Sequence, residues 1–149
     1  MTRFLADEAA TLALGADLAR VLQPGLVVYL MGDLGTGKTT LARGVLRGLG
    51  YTGRVKSPTY TLVEVYKFSK LYLYHFDFYR FEPGTGLREA GFLEYFRADS
   101  VCLVEWPEHA RALPPADWRV SLSESGDGRG VEVYADTEAG KLCLDRMQR

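Results

Sequence analysis

Gly32 to Thr40 reads Gly-Asp-Leu-Gly-Thr-Gly-Lys-Thr-Thr and satisfies the pattern GxxxxGK[ST] in full. Glycines allow positive φ, so the backbone N–H groups of Asp33, Leu34, Gly35, Thr36 and Gly37 can converge on phosphate oxygens. A helix opening directly after the loop adds a partial positive charge at the same place. Lys38 offers a mobile point charge to the β- and γ-phosphates, and the Thr39 hydroxyl is a hard oxygen ligand suited to Mg²⁺. Thr40 falls where an α-phosphate would lie. The chemistry these residues can do together is to hold ATP·Mg²⁺ and transfer its γ-phosphoryl group, with water as the expected acceptor. The plainer alternative is a glycine-rich turn with a solvent-facing lysine.

Such a site needs a second oxygen ligand near the metal, normally an acid closing an apolar strand. Val101-Cys102-Leu103-Val104 is a run of that kind, and it ends in Glu105. Beside the phosphate-loop strand and parallel to it, it would bring Glu105 to the edge that carries Thr39. Otherwise Glu105 is a solvated strand-end acid. His75-Phe76-Asp77 places a further acid at a strand end, and His75 and Asp77, two apart, share one face. Asp77 is then a candidate to position the attacking water, whereas His75 reads as a satisfied, partly buried histidine. Ser57-Pro58-Thr59-Tyr60-Thr61 precedes a strand, and Thr59 there is either a switch-like residue closing on the γ-phosphate or ordinary turn chemistry. Arg80 offers a charge to phosphate or to a surface acid.

The elements that must position these groups are legible as hydrophobic runs. Leu26 to Leu30 is a continuous apolar stretch of strand length, as in strands buried on both faces. Thr39 to Leu49 reads as a helix stopped by Gly50, so strand, glycine turn and helix follow in the order the loop requires. Before them, Asp7 caps a helix with apolar positions Ala10, Leu14, Leu18 and Leu22, ended by Pro24-Gly25. Tyr60–Tyr66 and Leu71–Phe78 form a hairpin around residues 67–70. Residues 82–86 are a loop, and 87–96 is a short helix at best, interrupted at Gly91. A second hairpin pairs Trp118–Ser123 with Val131–Tyr134 through Gly126-Asp127-Gly128. A short strand or helix around Leu142–Met147 ends the chain. These elements predict one α/β domain over residues 1–149, a three-layer P-loop NTPase-like fold with a mixed parallel and antiparallel sheet.

Composition sets the outer bounds. The 149 residues are 47% hydrophobic and 25% charged, which fits one packed domain rather than a disordered chain. With a net charge of −1 there is no basic excess for gripping a phosphodiester backbone, so DNA is not an expected partner. Cys102 and Cys143 have neither ligand spacing nor CxxC pairing and read as buried reduced thiols. No apolar run approaches the ~18 residues of a membrane span, and the first residues lack a signal peptide's long apolar stretch. A cytoplasmic protein with no membrane partner is expected. Asn and Ile are absent altogether, which fits heat adaptation or a GC-rich genome.

With these residues assembled, the chain resembles the TsaE (YjeE) family. The segments GDLGTGKTT (32–40), SPTYTL (57–62), HFDFYR (75–80) and EWP (105–107) carry the resemblance, in the family's order and separations. It implies an ATPase of tRNA threonylcarbamoyladenosine formation, acting with the TsaD–TsaB pair on tRNAs that read codons beginning with adenine. The role of tRNA would be indirect, through that pair. It also implies that Lys38 contacts phosphate, that Thr39 and Glu105 hold Mg²⁺, that Asp77 is needed for hydrolysis and that Thr59 lies in a switch-like loop. Thr11 matches a family threonine near the nucleotide. One departure is that family members often carry an acidic stretch after the Tyr-Arg pair, whereas residues 83–88 here are nearly neutral.

Other P-loop functions fit less well. A small-molecule kinase needs a lid and a substrate insertion, for which no segment is spare. A GTP switch reads guanine with Asn/Thr-Lys-x-Asp, and no such motif occurs. A non-catalytic subunit that only holds ATP remains open at the level of sequence.

Overall fold

The computed structural model describes residues 1–148. The chain opens with a strand, β1 (Thr2–Leu5), then α1 (Glu8–Val21), β2 (Val27–Met31) and α2 (Lys38–Gly48). Asp7 caps α1 by accepting a hydrogen bond from the Ala10 amide at 2.8 Å. The first hairpin is β3 (Val63–Lys67) and β4 (Tyr72–Asp77), closed by a 2.9 Å bond from the Phe68 amide to the Leu71 carbonyl. A short bridge β5 (Thr85–Gly86), strand β6 (Ser100–Glu105) and a short β7 (Ala110–Arg111) follow. The second hairpin, β8 (Trp118–Ser125) and β9 (Gly128–Ala135), leads into α3 (Glu138–Asp145).

Seven strands form one sheet in the order β1-β9-β8-β2-β6-β4-β3, while β5 and β7 pair apart from it. The four central strands β8, β2, β6 and β4 are parallel, and the two hairpins and β1 add antiparallel edges. Parallel strands are stable only when both faces are covered, and here two different layers do it. All three α-helices contribute to one core with the inward residues Val28, Leu30, Val101, Leu103, Val120 and Val133. The opposite face of β4 and β6 is covered by the segments on either side of β6, residues 78–99 and 106–113, whose Phe78, Phe81, Leu87, Phe92, Tyr95 and Phe96 pack on Tyr74, Phe76 and Val104. That cover is made largely of turns, with 3₁₀ turns at Leu93–Tyr95 and Pro107–His109 and Gly91 at φ 83° where a helix would have to continue.

Two features differ from the sequence reading. β1 has no recognisable signal of its own, since only Leu5 of its four residues is buried, and it exists because Thr2–Leu5 pairs with 129–132 of β9. The first hairpin strand begins at Val63 and not at Tyr60, because Pro58 to Leu62 is spent on a turn that ends with Leu62 at φ 70°.

The helix that follows the phosphate loop is clamped by small residues. A Cβ on Gly15 of α1 would lie 2.6 Å from the Leu41 carbonyl of α2, and one on Gly44 would lie 2.5 Å from the Leu12 carbonyl. The two backbones therefore touch, which fixes the axis of α2 and the loop at its start. Gly44→Val is expected to lower stability by about 1–3 kcal/mol through overpacking, read as a fall in the melting temperature; an unchanged or higher value would disprove the close contact.

Burial pushes the Cys102 thiol up to about 12, and Cys143 is raised for the same reason. At pH 8 neither carries an appreciable thiolate fraction, and the thiolate is the reactive form. Both are expected to resist a thiol reagent in the folded protein and to react in denaturant; rapid labelling of the native protein would contradict their placement.

Candidate functional site

β2 ends at Met31 and α2 begins at Lys38, so residues 32–37 must reverse the chain in a tight loop. Gly37, the residue before α2, sits at φ 103°, a conformation that a side chain would strain. Gly32 passes so close to β8 that a Cβ there would meet the Leu122 carbonyl at 2.5 Å. The loop is braced from within by Thr36, whose hydroxyl donates to the Asp33 carbonyl at 2.8 Å. From outside, Arg129 of β9 donates through Nη2 to the Gly35 carbonyl at 3.1 Å.

A cavity of about 390 Å³ lies on one side of this loop, lined by Lys38, Thr39, Thr59, Asp77, Glu105 and Trp106 among others. Its floor is the carboxyl edge of the parallel strands. The register pairs Leu30 with Glu105 and Asp77 with Glu105, so β2, β6 and β4 all end at the same level. Alternation puts His75, Asp77 and Glu105 on the face that α2 covers. The Thr39 hydroxyl stands 3.2 and 3.3 Å from the two Glu105 oxygens. Asp77 accepts the Tyr79 amide at 2.9 Å, and its own amide donates to the Leu62 carbonyl at 3.0 Å. Thr59 reaches the cavity rim with its hydroxyl 2.8 Å from that of Ser57.

These charges are buried. Lys38 is 5% exposed, Asp77 6% and Glu105 3%. Desolvation holds the Lys38 ammonium below its ordinary range, against the attraction of Glu105, Glu108, Asp77 and Asp33. Burial also raises the Asp77 carboxyl, reinforced by the neighbouring charge of Glu105 and opposed by the Tyr79 amide, His75 and Lys38. Lys38 donates to the Gly32 carbonyl and lies 3.6 Å from the centroid of the Trp106 ring. Trp106 takes that place with a left-handed backbone, φ 56°, at the turn after β6.

The donor set fits a hard cation. Thr39 and Glu105 offer oxygens from two elements, with Asp77 in the same cavity. Among the described residues no group of three or more His, Cys, Asp or Glu side chains forms a cage. Mg²⁺ characteristically takes one or two carboxylates, keeps several waters and shares the ligand's phosphates, so a sparse oxygen set of this kind suits it.

A second cavity of about 290 Å³ flanks the loop on the other side, lined by Asp7, Glu8, Thr11, Gly35 to Gly37, Thr40 and the β8–β9 turn at Asp127 to Arg129. Thr40 lines both cavities, as a residue between the two ends of a nucleotide would. The carboxylates of Asp7, Glu8 and Asp127 are acceptors and suit the N–H and O–H groups of a base and ribose, not phosphates. Thr11 is buried here, its hydroxyl turned to the Asp7 carbonyl at 3.4 Å. Asp33 borders a different cavity behind the loop, with Ser121 and Glu124, and Leu34, 65% exposed, lies at the edge of both that cavity and the one beside Lys38.

The sequence reading missed Arg129 and the acidic turn beside it, because only the docking of the second hairpin brings them to the loop. It also underrated His75, which is fully buried with Nε2 2.6 Å from a Glu105 oxygen and Nδ1 without a partner among the described residues. Arg80 lies over the exposed Tyr60 ring, 4.6 Å from its centroid.

Residues 5–131 match the family described as threonylcarbamoyl adenosine biosynthesis protein TsaE. A curated protein of that description from Haemophilus influenzae is 44% identical over 97% of this chain and 95% of its own length. One from Nostoc is 50% identical over 87% of this chain and 83% of its own. Among solved structures, Bacillus subtilis YdiB superposes with a TM-score of 0.83 at 31% identity, covering 100% of this chain and 94% of that one.

Arg129 supports the loop with one charged hydrogen bond at an exposed position. Arg129→Ala is expected to weaken Mg·ADP binding by roughly two- to tenfold, the size of one ordinary hydrogen bond, with the melting temperature little changed. Unaltered affinity by calorimetry would show that the hairpin does not brace the loop.

Proposed function

The chain belongs to the TsaE family, and on that premise we propose that it is an ATP hydrolase serving tRNA threonylcarbamoyladenosine biosynthesis. Its partner in this reading is the TsaD–TsaB pair, with tRNA met through that pair. The observation that carries the hydrolytic reading is the meeting of Lys38, Thr39, Asp77 and Glu105 in one buried cavity beside the phosphate loop.

Each residue then has a task. The loop amides and the start of α2 hold the phosphates, with Thr40 towards the α-phosphate and Thr11 on the base side. Thr39 and Glu105 would hold Mg²⁺, which when bound neutralises charge on the β- and γ-phosphate oxygens. Lys38 exchanges its contacts with Gly32 and Trp106 for the γ-phosphoryl oxygens, where charge grows during transfer. Asp77, on the same floor, accepts a hydrogen bond from the attacking water and orients it in line with the breaking bond. Thr59 closes the rim, and its turn runs through Leu62 to the Asp77 amide. No helix among the described residues is long and apolar enough to cross a membrane, in keeping with a cytoplasmic role.

Purified protein is expected to bind ATP with Mg²⁺, to hydrolyse it slowly without any acceptor, and to do so faster when TsaD–TsaB is added. Lys38→Ala should lower turnover by about 100-fold or more. Asp77→Asn should lower kcat by about 100-fold while leaving nucleotide affinity within a few-fold. Equal loss of binding and turnover in Asp77→Asn would remove its assigned role. A rate indifferent to saturating TsaD–TsaB would argue against the partner.

A further inference from the structure

His75 occupies a position built for an apolar residue. It lies on the core face of β4 opposite Leu103, with Leu73 two residues before it, and all three are at most 1% exposed. Its Nδ1 has no hydrogen-bond partner among the described residues. Burying an imidazole with one nitrogen unsatisfied is unfavourable, and leucine would fill such a place without that penalty. Among the described residues the single polar contact of the ring is Nε2 to Glu105 Oε2 at 2.6 Å. A carboxylate only accepts, so Nε2 carries the proton and donates.

We propose that His75 is a positioning residue: its Nε2–H fixes the Glu105 carboxylate from beneath, so that the oxygens facing Thr39 stay set for the divalent cation. This rests on the nucleotide reading above. Among the described residues the ring is the one anchor of the Glu105 carboxylate besides Thr39, whose hydroxyl is itself a candidate ligand and stands farther off, at 3.2–3.3 Å. Without His75 the carboxylate can rotate about its last bond and present one oxygen, or none, to the cation. Partners that orient a ligating group in this way typically account for 10- to 100-fold in metal affinity.

The test separates metal binding from nucleotide binding and from folding. With protein in excess over ADP, Mn²⁺ affinity is read by electron paramagnetic resonance, and ADP affinity is measured separately in EDTA. His75→Leu is expected to leave ADP affinity in EDTA unchanged and to weaken Mn²⁺ binding 10- to 100-fold. His75→Gln, whose amide nitrogen can reach the place of Nε2, should recover Mn²⁺ affinity to within about threefold of the parent. Parental Mn²⁺ affinity in His75→Leu overturns the proposal, as does a loss that His75→Gln fails to restore. If the parent protein binds no ADP at all, it is the nucleotide reading that fails. Should His75→Leu not fold, imidazole nitrogen NMR of the parent protein decides. The proton belongs on Nε2, with a resonance that moves when Mg²⁺ is added to the ADP complex; a proton on Nδ1, or a resonance indifferent to Mg²⁺, overturns the assignment.

Discussion

An ammonium and two carboxylates buried within one cavity are the constraint around which the rest of this molecule is arranged. Taking an ion out of water costs several kcal/mol even after the protein relaxes. Lys38, Asp77 and Glu105 are each at most 6% exposed. They do not form a neutral pair, and the Asp77 carboxyl is raised first by its own burial and then by the neighbouring charge of Glu105. Such a cluster persists only where a rigid frame holds it, and a bound cation would offset its surplus of carboxylate charge. The frame is the carboxyl edge of β2, β6 and β4, whose parallel register brings three strand ends level. This is the edge at which open α/β sheets gather ligands.

Two kinds of packing keep that edge in place. On the helical side, the contact of α1 with α2 through Gly15 and Gly44 leaves α2 no freedom to pivot, so the loop at its start inherits a fixed position. On the other side, an aromatic cover with little regular structure packs Phe78, Phe92 and Phe96 on Phe76 of β4, with ring centroids 5.4, 5.7 and 5.3 Å away. Aromatic rings bury large areas with few rotatable bonds, which is how a segment of turns seals one face of a parallel sheet where a helix would ordinarily lie. The mixed sheet and the phosphate-loop architecture thus rest on one regular layer and one irregular layer.

What could be read from sequence follows the range of each signal. The phosphate loop, the apolar strands at Leu26–Leu30 and Val101–Glu105, the capped first helix and both hairpins all depend on neighbours within about a dozen residues, and each formed near its expected place. Glu105 was legible because an acid closing an apolar run is a local pattern. β1 was not, since three of its four residues face solvent and its partner lies more than 120 residues away. The hold of Arg129 on Gly35 spans 94 residues and follows only from how the second hairpin docks. His75 shows the same limit from the other side. Its identity and its spacing from Asp77 were plain, but that its ring meets Glu105 depends on β4 lying beside β6, which no local pattern encodes.

The walls of the cavity differ in how they are held, and that difference bears on how the site could respond to a partner. Glu105 and Asp77 are strand ends, and Lys38 and Thr39 belong to a helix clamped by α1. Of the five side chains Lys38, Thr39, Thr59, Asp77 and Glu105, Thr59 is the one that comes from a turn, Pro58 to Leu62, closed by a 2.8 Å bond from the Leu62 amide to the Pro58 carbonyl. That turn stores strain, since Leu62 at φ 70° occupies a region β-carbon-bearing residues seldom enter, at a cost of order 1–3 kcal/mol. Its exit is tied to the floor, because the Leu62 carbonyl accepts the Asp77 amide. A displacement of the exposed Tyr60 at the tip is therefore transmitted through Leu62 to the strand end that carries Asp77, the residue proposed to orient water. The least anchored of these five side chains is thus the one mechanically joined to Asp77, while Lys38, Thr39 and Glu105 sit on a helix and a strand.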